Sequence, residues 1–367
     1  MKDSNNIKAA IFRMMEKILP DKAFDFLWSK YSIWNIKRNN AEVSANAYYV
    51  RNKNGLKKPN YCIFRFGSAQ GLFLVANKML FYYEWAVAND YIPLVDVEFN
   101  DDFMQGKFGL NNLWEYCFQQ TKSINDAFCE GNVLVSAING GDVLRSTCKE
   151  VNGNSNDWRV HAKAQGYREY YAKLNELSQK IWIFKPEVKA KIESIQKELF
   201  HPGMRVLGVV LREEFGRDDS EMTEAQRAIY KKHPKALSLE ETYKLIEEYM
   251  SKWECTHVLI TTMFQESIEY FKERLGSKAI FIERERRNFN EFKQINIKTS
   301  EDIVNNHGEN CKEICEYVTG LKQKQEQITI GYAAEMAVVA KCDYCMGVKC
   351  SGLIAACILN GGKYKDL

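Results

Sequence analysis

The residues best suited to chemistry in this chain stand where apolar runs end. Residues 206–217, VLGVVLREEFGR, lead a strand-like run into Arg212, with Glu213 and Glu214 directly behind it. A guanidinium at the carboxyl end of a buried strand can grip a phosphate through two parallel hydrogen bonds and stays charged at any relevant pH. The same arginine could instead pair with Glu213 or Glu214. Residues 348–357, VKCSGLIAAC, set Lys349, Ser351 and Gly352 at the mouth of a helix. Small residues there leave backbone N–H groups and the positive end of the helix dipole open to an anion. A plain serine N-cap accounts for Ser351 equally well. Glu335 lies in the preceding helix. Its carboxylate could accept two hydrogen bonds from the edge of a guanine, or be solvated surface. Thr262, like Arg212 and Lys349, closes an apolar run. In the first half, FRFGSAQGLFLVANK places Gly67 and Gly71 between a strand and a helix, which lets a ligand approach the backbone. The Gly-x₄-Gly-Lys-Ser/Thr spacing of a phosphate-binding Walker loop is absent, and an ordinary tight turn would use the same glycines.

Other groups are candidates for metal chemistry. Asp96 and Glu98, in DVE, with Asp101 and Asp102 close behind, could hold a nucleotide-sugar diphosphate through Mg²⁺ or Mn²⁺. Cys342 and Cys345 form a C-x-x-C in a strand-like run, where their spacing puts them on opposite faces, and no second pair answers them. The histidines show no metal-ligand spacing; His233, before Pro234 in a loop leading to a helix, is either functional or merely exposed.

The elements that must position these residues alternate. YCIFRF, YIPLVDV and NVLVSAI read as strands, with FLVANKMLFYYEWAVAND as the helix between the first two. A polar loop at residues 149–159 is followed by a helical region from Ala164 to Phe200, broken at Pro186 and bridging two domains. RVLGVVL, THVLIT, KAIFI and CDYCMGV read as strands of the second half. Between them SLEETYKLIEEYMSKW opens on a capping box, Ser238 with Glu241, and sets Leu239, Tyr243, Ile246, Met250 and Trp253 on one stripe. QESIEYFKERLG closes on Gly276, and GYAAEMAVVAK and SGLIAACIL complete the helices. Such alternation makes parallel sheets covered on both faces, which bind ligands at the carboxyl ends of their strands.

Composition narrows the function classes. At 367 residues the chain suits two domains. Its 51 basic against 48 acidic residues leave a net charge of +3, which carries no polyanion signal and argues against nucleic acid. The 11 cysteines, scattered through apolar stretches with no signal peptide ahead of them, point to thiols in a reducing cytosol. No run approaches the roughly 20 apolar residues of a membrane span. Residues 7–19 put Ile7, Ile11, Met15 and Ile18 on one stripe with Lys8, Arg13 and Lys17 elsewhere. That helix either packs on its own domain or lies on a membrane surface.

In order and spacing these segments resemble the fucosyltransferase-like glycosyltransferases of the GT-B fold, the group of the α1,6-fucosyltransferases of N-glycan cores and Nod factors, and most closely its bacterial surface-polysaccharide, or capsule, members. The likeness is carried by RFGSAQGLF, NDYIPLVDVE, NNLWEYCF, LGVVLREEF, the run from His233 to Thr262, and EMAVVAKCDYCMGVKCSGLIAACIL, covering most of residues 60–365. The resemblance implies two Rossmann-like α/β domains facing across a cleft. Residues 1–190 would be the acceptor-side domain and residues 191–367 the donor domain. It implies that Arg212 contacts the β-phosphate, that Ser351 is the serine at the phosphate end of the last helix, and that Glu335 reads the guanine. The chain departs from the family at Val210, where a histidine is common, at Glu213 to Phe215, and at Thr262 and Met263, where an acidic pair is common. The expected activity is inverting, metal-independent transfer of fucose or a related deoxysugar from a GDP-sugar to a surface-glycan or lipid-linked hydroxyl. No cofactor is expected, and the site is cytoplasmic or peripheral on the inner membrane face. Arg212, Lys349, Ser351, Gly352, Thr262, Glu335, Gly67 and Gly71 would hold the donor, with Glu214, Glu221 or an acid of the first domain as general base. A metal-dependent transferase using Asp96 and Glu98, and a non-catalytic nucleotide-sugar or glycan-binding protein, are the alternatives.

Overall fold

The computed structural model describes residues 14–15, 18–20, 22–24, 26–27, 30–31, 34, 47–52, 60–66, 71–97, 112–138, 167–211, 237–284, 286, 325–348 and 350–365. Two α/β units form, each around its own four-stranded sheet. One gathers Met1–Gln70, Phe81–Trp114 and Gln120–Gly141; the other gathers Gly71–Leu80, Glu115–Gln119 and Asp142–Leu367.

The first unit contains β1 (Ala47–Val50), β2 (Asn60–Phe66), β3 (Ile92–Val97) and β4 (Asn132–Ile138), in the order β1-β4-β2-β3. β2 pairs in parallel with both β3 and β4. Tyr61 to Phe66 are buried without a break, as a central strand covered on both faces requires. β1 departs from the sequence expectation, because it adds an antiparallel edge to β4. Its AYYV alternates half-buried and exposed residues, the pattern of an edge strand with one wet face, and no continuous apolar run announces it. Helix α1 (Leu72–Ala88) joins β2 to β3, with its first residues in the second unit. The short helices α2 (Leu113–Cys117) and α3 (Ile124–Glu130) follow β3. Ser123 caps α3 by accepting a hydrogen bond from the Asp126 amide. Tyr61, Ile63, Leu94, Ile124, Val133 and Val135 pack together as this unit's core.

The second unit opens with α4 (Tyr167–Ile181) and α5 (Pro186–Leu199), and Pro186 breaks the helical region by starting α5. Then come β5 (Val206–Val210), α6 (Leu239–Lys252), β6 (His257–Thr261), α7 (Gln265–Leu275), β7 (Ala279–Ile280), α8 (Gln325–Val339), β8 (Tyr344–Gly347) and α9 (Ser351–Asn360). The strands lie in the order β7-β6-β5-β8, all parallel. Counted within the unit, that is 3-2-1-4, one half of a doubly wound sheet, and the direction of winding reverses between β5 and β8. The capping box of α6 forms as expected, with Ser238 and Glu241 each holding the other's backbone amide. Ile246, Met250 and Trp253 of the expected stripe are buried, while Leu239 and Tyr243 are only half-buried; Thr242 and Tyr249 complete the buried face. Trp253 stacks on Tyr344 at 4.8 Å between ring centres, tying α6 to the sheet. The KAIFI strand shrinks to the two-residue ladder of β7.

Of the N-terminal stripe, Met15 is half-buried and Ile18 is 70% exposed; Ile7 and Ile11 lie outside the described residues. No described helix is long and apolar enough to cross a membrane.

Candidate functional site

A cavity of about 400 Å³ opens in the second unit at the carboxyl ends of its strands. Val210 and Leu211 at the end of β5, Thr261 to Phe264 at the end of β6, and Cys350 to Gly352 beyond β8 form its walls. It therefore sits at the winding reversal between β5 and β8, where open parallel sheets place ligands because the loops diverge there. Gly71, Phe73 and Leu74 from the start of α1 and Tyr332, Glu335 and Met336 from α8 complete it.

Five expected residues meet at this one place: Gly71, Thr262, Glu335, Ser351 and Gly352. Ser351 is the first helical residue of α9 and not its N-cap; Cys350 occupies the cap and makes no side-chain capping bond. The amides of the first turn thus face the cavity end with no cap side chain across them, the condition for an anion site. The Asn77 amide on α1 donates to the Ser351 carbonyl at 3.0 Å and fixes this turn. Gly352 is required by close approach, since a Cβ there would fall on the Tyr332 hydroxyl and 3.1 Å from the Met336 sulfur. At its far end α9 is held by α4: the Asn175 side chain donates to the carbonyls of Ile358 at 2.9 Å and Leu359 at 3.2 Å.

Glu335 is not solvated surface. It is 1% exposed, and two arginines that the sequence reading did not single out close on its two oxygens. Arg284 Nη2 stands 2.8 Å from Oε2, and Arg286 Nη2 stands 3.3 Å from Oε1. Arg284 Nη2 also donates to the Thr262 carbonyl at 3.0 Å, while Arg286 Nη2 donates to the Ile282 carbonyl at 2.6 Å. The cluster fastens the segment past β7 to α8 and to the end of β6, and Arg284 itself lines the cavity. A signal existed for it: Glu335 interrupts the apolar second half of α8, well past Glu326 in the first turn, and a carboxylate inside such a run needs buried cations.

Gly67, Arg212, Glu214, Glu221, His233 and Lys349, with Glu98, Asp101 and Asp102, lie outside the described residues. Leu211, the residue before Arg212, is a wall of the cavity. Asp96 is described, fully buried in the first unit, and 3.0 Å from Arg65 Nε. The two are register partners on β2 and β3, so this carboxylate is already engaged by a cation inside a sheet. Among the described residues no group of three or more His, Cys, Asp or Glu side chains could hold a metal ion. Cys342 and Cys345 are buried free thiols, and burial pushes Cys345 up to about 12 and Cys342 well above the ordinary thiol value, so both stay protonated at neutral pH.

No family model matches the chain, and no curated protein does. Among solved structures the chain is similar to the α1,6-fucosyltransferase NodZ soaked with GDP-fucose. That match has 10% identity and a TM-score of 0.42, covering 82% of this chain and 93% of the other. The same enzyme co-crystallised with GDP matches at 9% identity and a TM-score of 0.42, over 82% and 92%. NodZ from Bradyrhizobium, in its selenomethionine form, matches at 10% identity and a TM-score of 0.41, over 82% and 92%.

Proposed function

We propose that the chain is a glycosyltransferase that takes the nucleotide diphosphate of a sugar donor into the cavity of the second unit. One observation carries the reading: the cavity lies at the switch point of a 3-2-1-4 parallel sheet, with the N-terminus of α9 in its wall. The order of the sequence motifs favours a GDP-sugar, with fucose or a related deoxysugar as the group transferred. The acceptor would be a hydroxyl of a surface glycan or lipid-linked oligosaccharide. Thr262, Ser351, Gly352 and Gly71 would line the donor, with Arg212 and Lys349 as further contacts.

In an inverting transfer the acceptor oxygen attacks the anomeric carbon opposite the departing diphosphate, and negative charge builds on that leaving group. Preorganised donors aimed at that charge contribute most when they need not move to meet it. The first turn of α9, fixed by Asn77, is such a donor set, and Arg212 would add a charge. Glu214 or Glu221 would take the acceptor proton.

A thermal-shift panel of GDP, UDP, CDP and their sugars tests the reading. A ligand at 100 times its dissociation constant should add about 2.7 kcal/mol of stability. A GDP ligand giving the largest shift, followed by sugar transfer in the presence of EDTA, is the expected result. Transfer abolished by EDTA favours a metal-dependent enzyme, and tight binding without turnover on any acceptor favours a binding protein.

A further inference from the structure

We propose that Arg284 is a cation of this cavity that contacts a phosphate of the ligand, and that Glu335 acts through Arg284 as a positioning residue instead of reading the base. The proposal rests on the donor-site reading for the nucleotide, but not for the phosphate.

The geometry separates the two roles. To read a guanine, a carboxylate must turn both oxygens toward the two N–H groups of the base edge. Glu335 has each oxygen on a different guanidinium, Arg284 on Oε2 and Arg286 on Oε1, and is 1% exposed. Displacing a buried arginine to admit a base edge would strand charge, which costs more than a base contact returns. Arg284 is placed differently. Its side chain is 8% exposed and lines the cavity, and two of its contacts, the Glu335 carboxylate and the Thr262 carbonyl, converge on the same nitrogen, Nη2. A guanidinium is planar with its donors in a rigid fork, so two contacts on one nitrogen restrict how the whole group can turn. The fork therefore sits in the wall of a cavity that the first turn of α9 also lines. A helix N-terminus and an aimed guanidinium around one space suit a phosphate in any nucleotide, whichever base it carries.

Calorimetric titration of the full chain with GDP, UDP and inorganic pyrophosphate tests this, using Arg284→Ala, Arg284→Lys and Glu335→Gln. Arg284→Ala should weaken all three ligands by a similar factor, on the order of tenfold to a hundredfold. Arg284→Lys, which keeps charge but not the fork, should fall between. Glu335→Gln keeps the shape of the side chain and should also weaken all three alike. If Glu335→Gln weakens GDP while sparing UDP and pyrophosphate, Glu335 reads the base and the proposal is overturned. Unchanged affinities in both Arg284 variants overturn it too. Where Glu335→Gln does not fold, the two Arg284 variants decide, with circular-dichroism melts confirming their folded state. Pyrophosphate binding without nucleotide binding in the parent ends the donor-site reading but leaves the Arg284 assignment standing. Nucleotide binding that is indifferent to Arg284 does the reverse, and a parent that binds none of the three overturns both.

Discussion

Each unit buries an arginine against a carboxylate, and the two places show how one chemistry serves different ends. In the first unit Arg65 and Asp96 face each other across neighbouring strands in register, 3.0 Å apart, inside a ladder that already fixes their backbones. In the second, Arg284 and Arg286 hold Glu335 from a segment past the last ladder residue, Ile280. Among the described residues past Ile280 no strand pairing follows, and the ion cluster ties this segment to α8 and to the end of β6. An ion pair within the ladder is architecture, whereas one beyond the strand ends also shapes a cavity. Distance from the last sheet hydrogen bond, more than burial, separates the two.

Asp96→Asn should give the largest change in stability, about 3–5 kcal/mol by urea denaturation, because it leaves the Arg65 charge buried without its carboxylate. Nucleotide affinity of the folded protein should be unaffected, and a loss of affinity would erase the contrast between the units. Gly352→Ala should cost about 1–3 kcal/mol through overpacking against Tyr332 and Met336. Unlike Asp96→Asn, it should weaken the ligand as well, since Tyr332 lines the cavity. Ser238→Ala, which removes the cap of α6 in the same unit at a residue that does not line the cavity, should cost about 1 kcal/mol and spare affinity. An affinity loss there would mean that general softening of the unit, and not local geometry, governs binding.

The smallest contrast is in pH. Both sheets bury a thiol, Cys62 on β2 and Cys345 on β8, and burial raises both, Cys345 from 9.0 to about 12. The contribution of Cys345 to stability is complete below pH 9 and is lost as pH climbs from there toward 12, because the unfolded chain releases that proton first; that of Cys62 is lost in the same direction. Near pH 10 Cys345 should account for a loss on the order of 1 kcal/mol. Cys345→Ala should make the decline in melting temperature above pH 9 shallower, and an unchanged slope would count against the assignment.

Much of this was legible in the sequence, and for a physical reason. Buried strands such as VLGVV and capped helices such as that opened by Ser238 and Glu241 are specified by neighbours in the chain. Thr262, Ser351 and Glu335 could be marked because each ends or interrupts an apolar run. What Glu335 touches was not legible. IERERR reads as a solvated charge run, and only the return of α8 over the segment past β7 turns two of its arginines inward. The edge strand β1 escaped for a related reason: four residues with alternating exposure acquire their identity only from pairing with β4, some 85 residues further along. Short-range pattern names the elements, and long-range contact assigns their partners.

Helix α9 illustrates what a fixed scaffold implies for exchange with solvent. Gly352 to Ile358 and Asn360 are all buried, and its last carbonyls are held by Asn175. From Ile354, whose amide bonds to the Cys350 carbonyl, its backbone N–H groups have partners within the helix. In deuterated water those protons should persist until the unit opens as a whole. The amides of Ser351, Gly352 and Leu353 precede the first intrahelical bond, so a bound anion should slow their exchange selectively and leave the rest of the helix unchanged. A ligand filling this cavity would then be recorded as three slowed protons at one end of an otherwise silent helix.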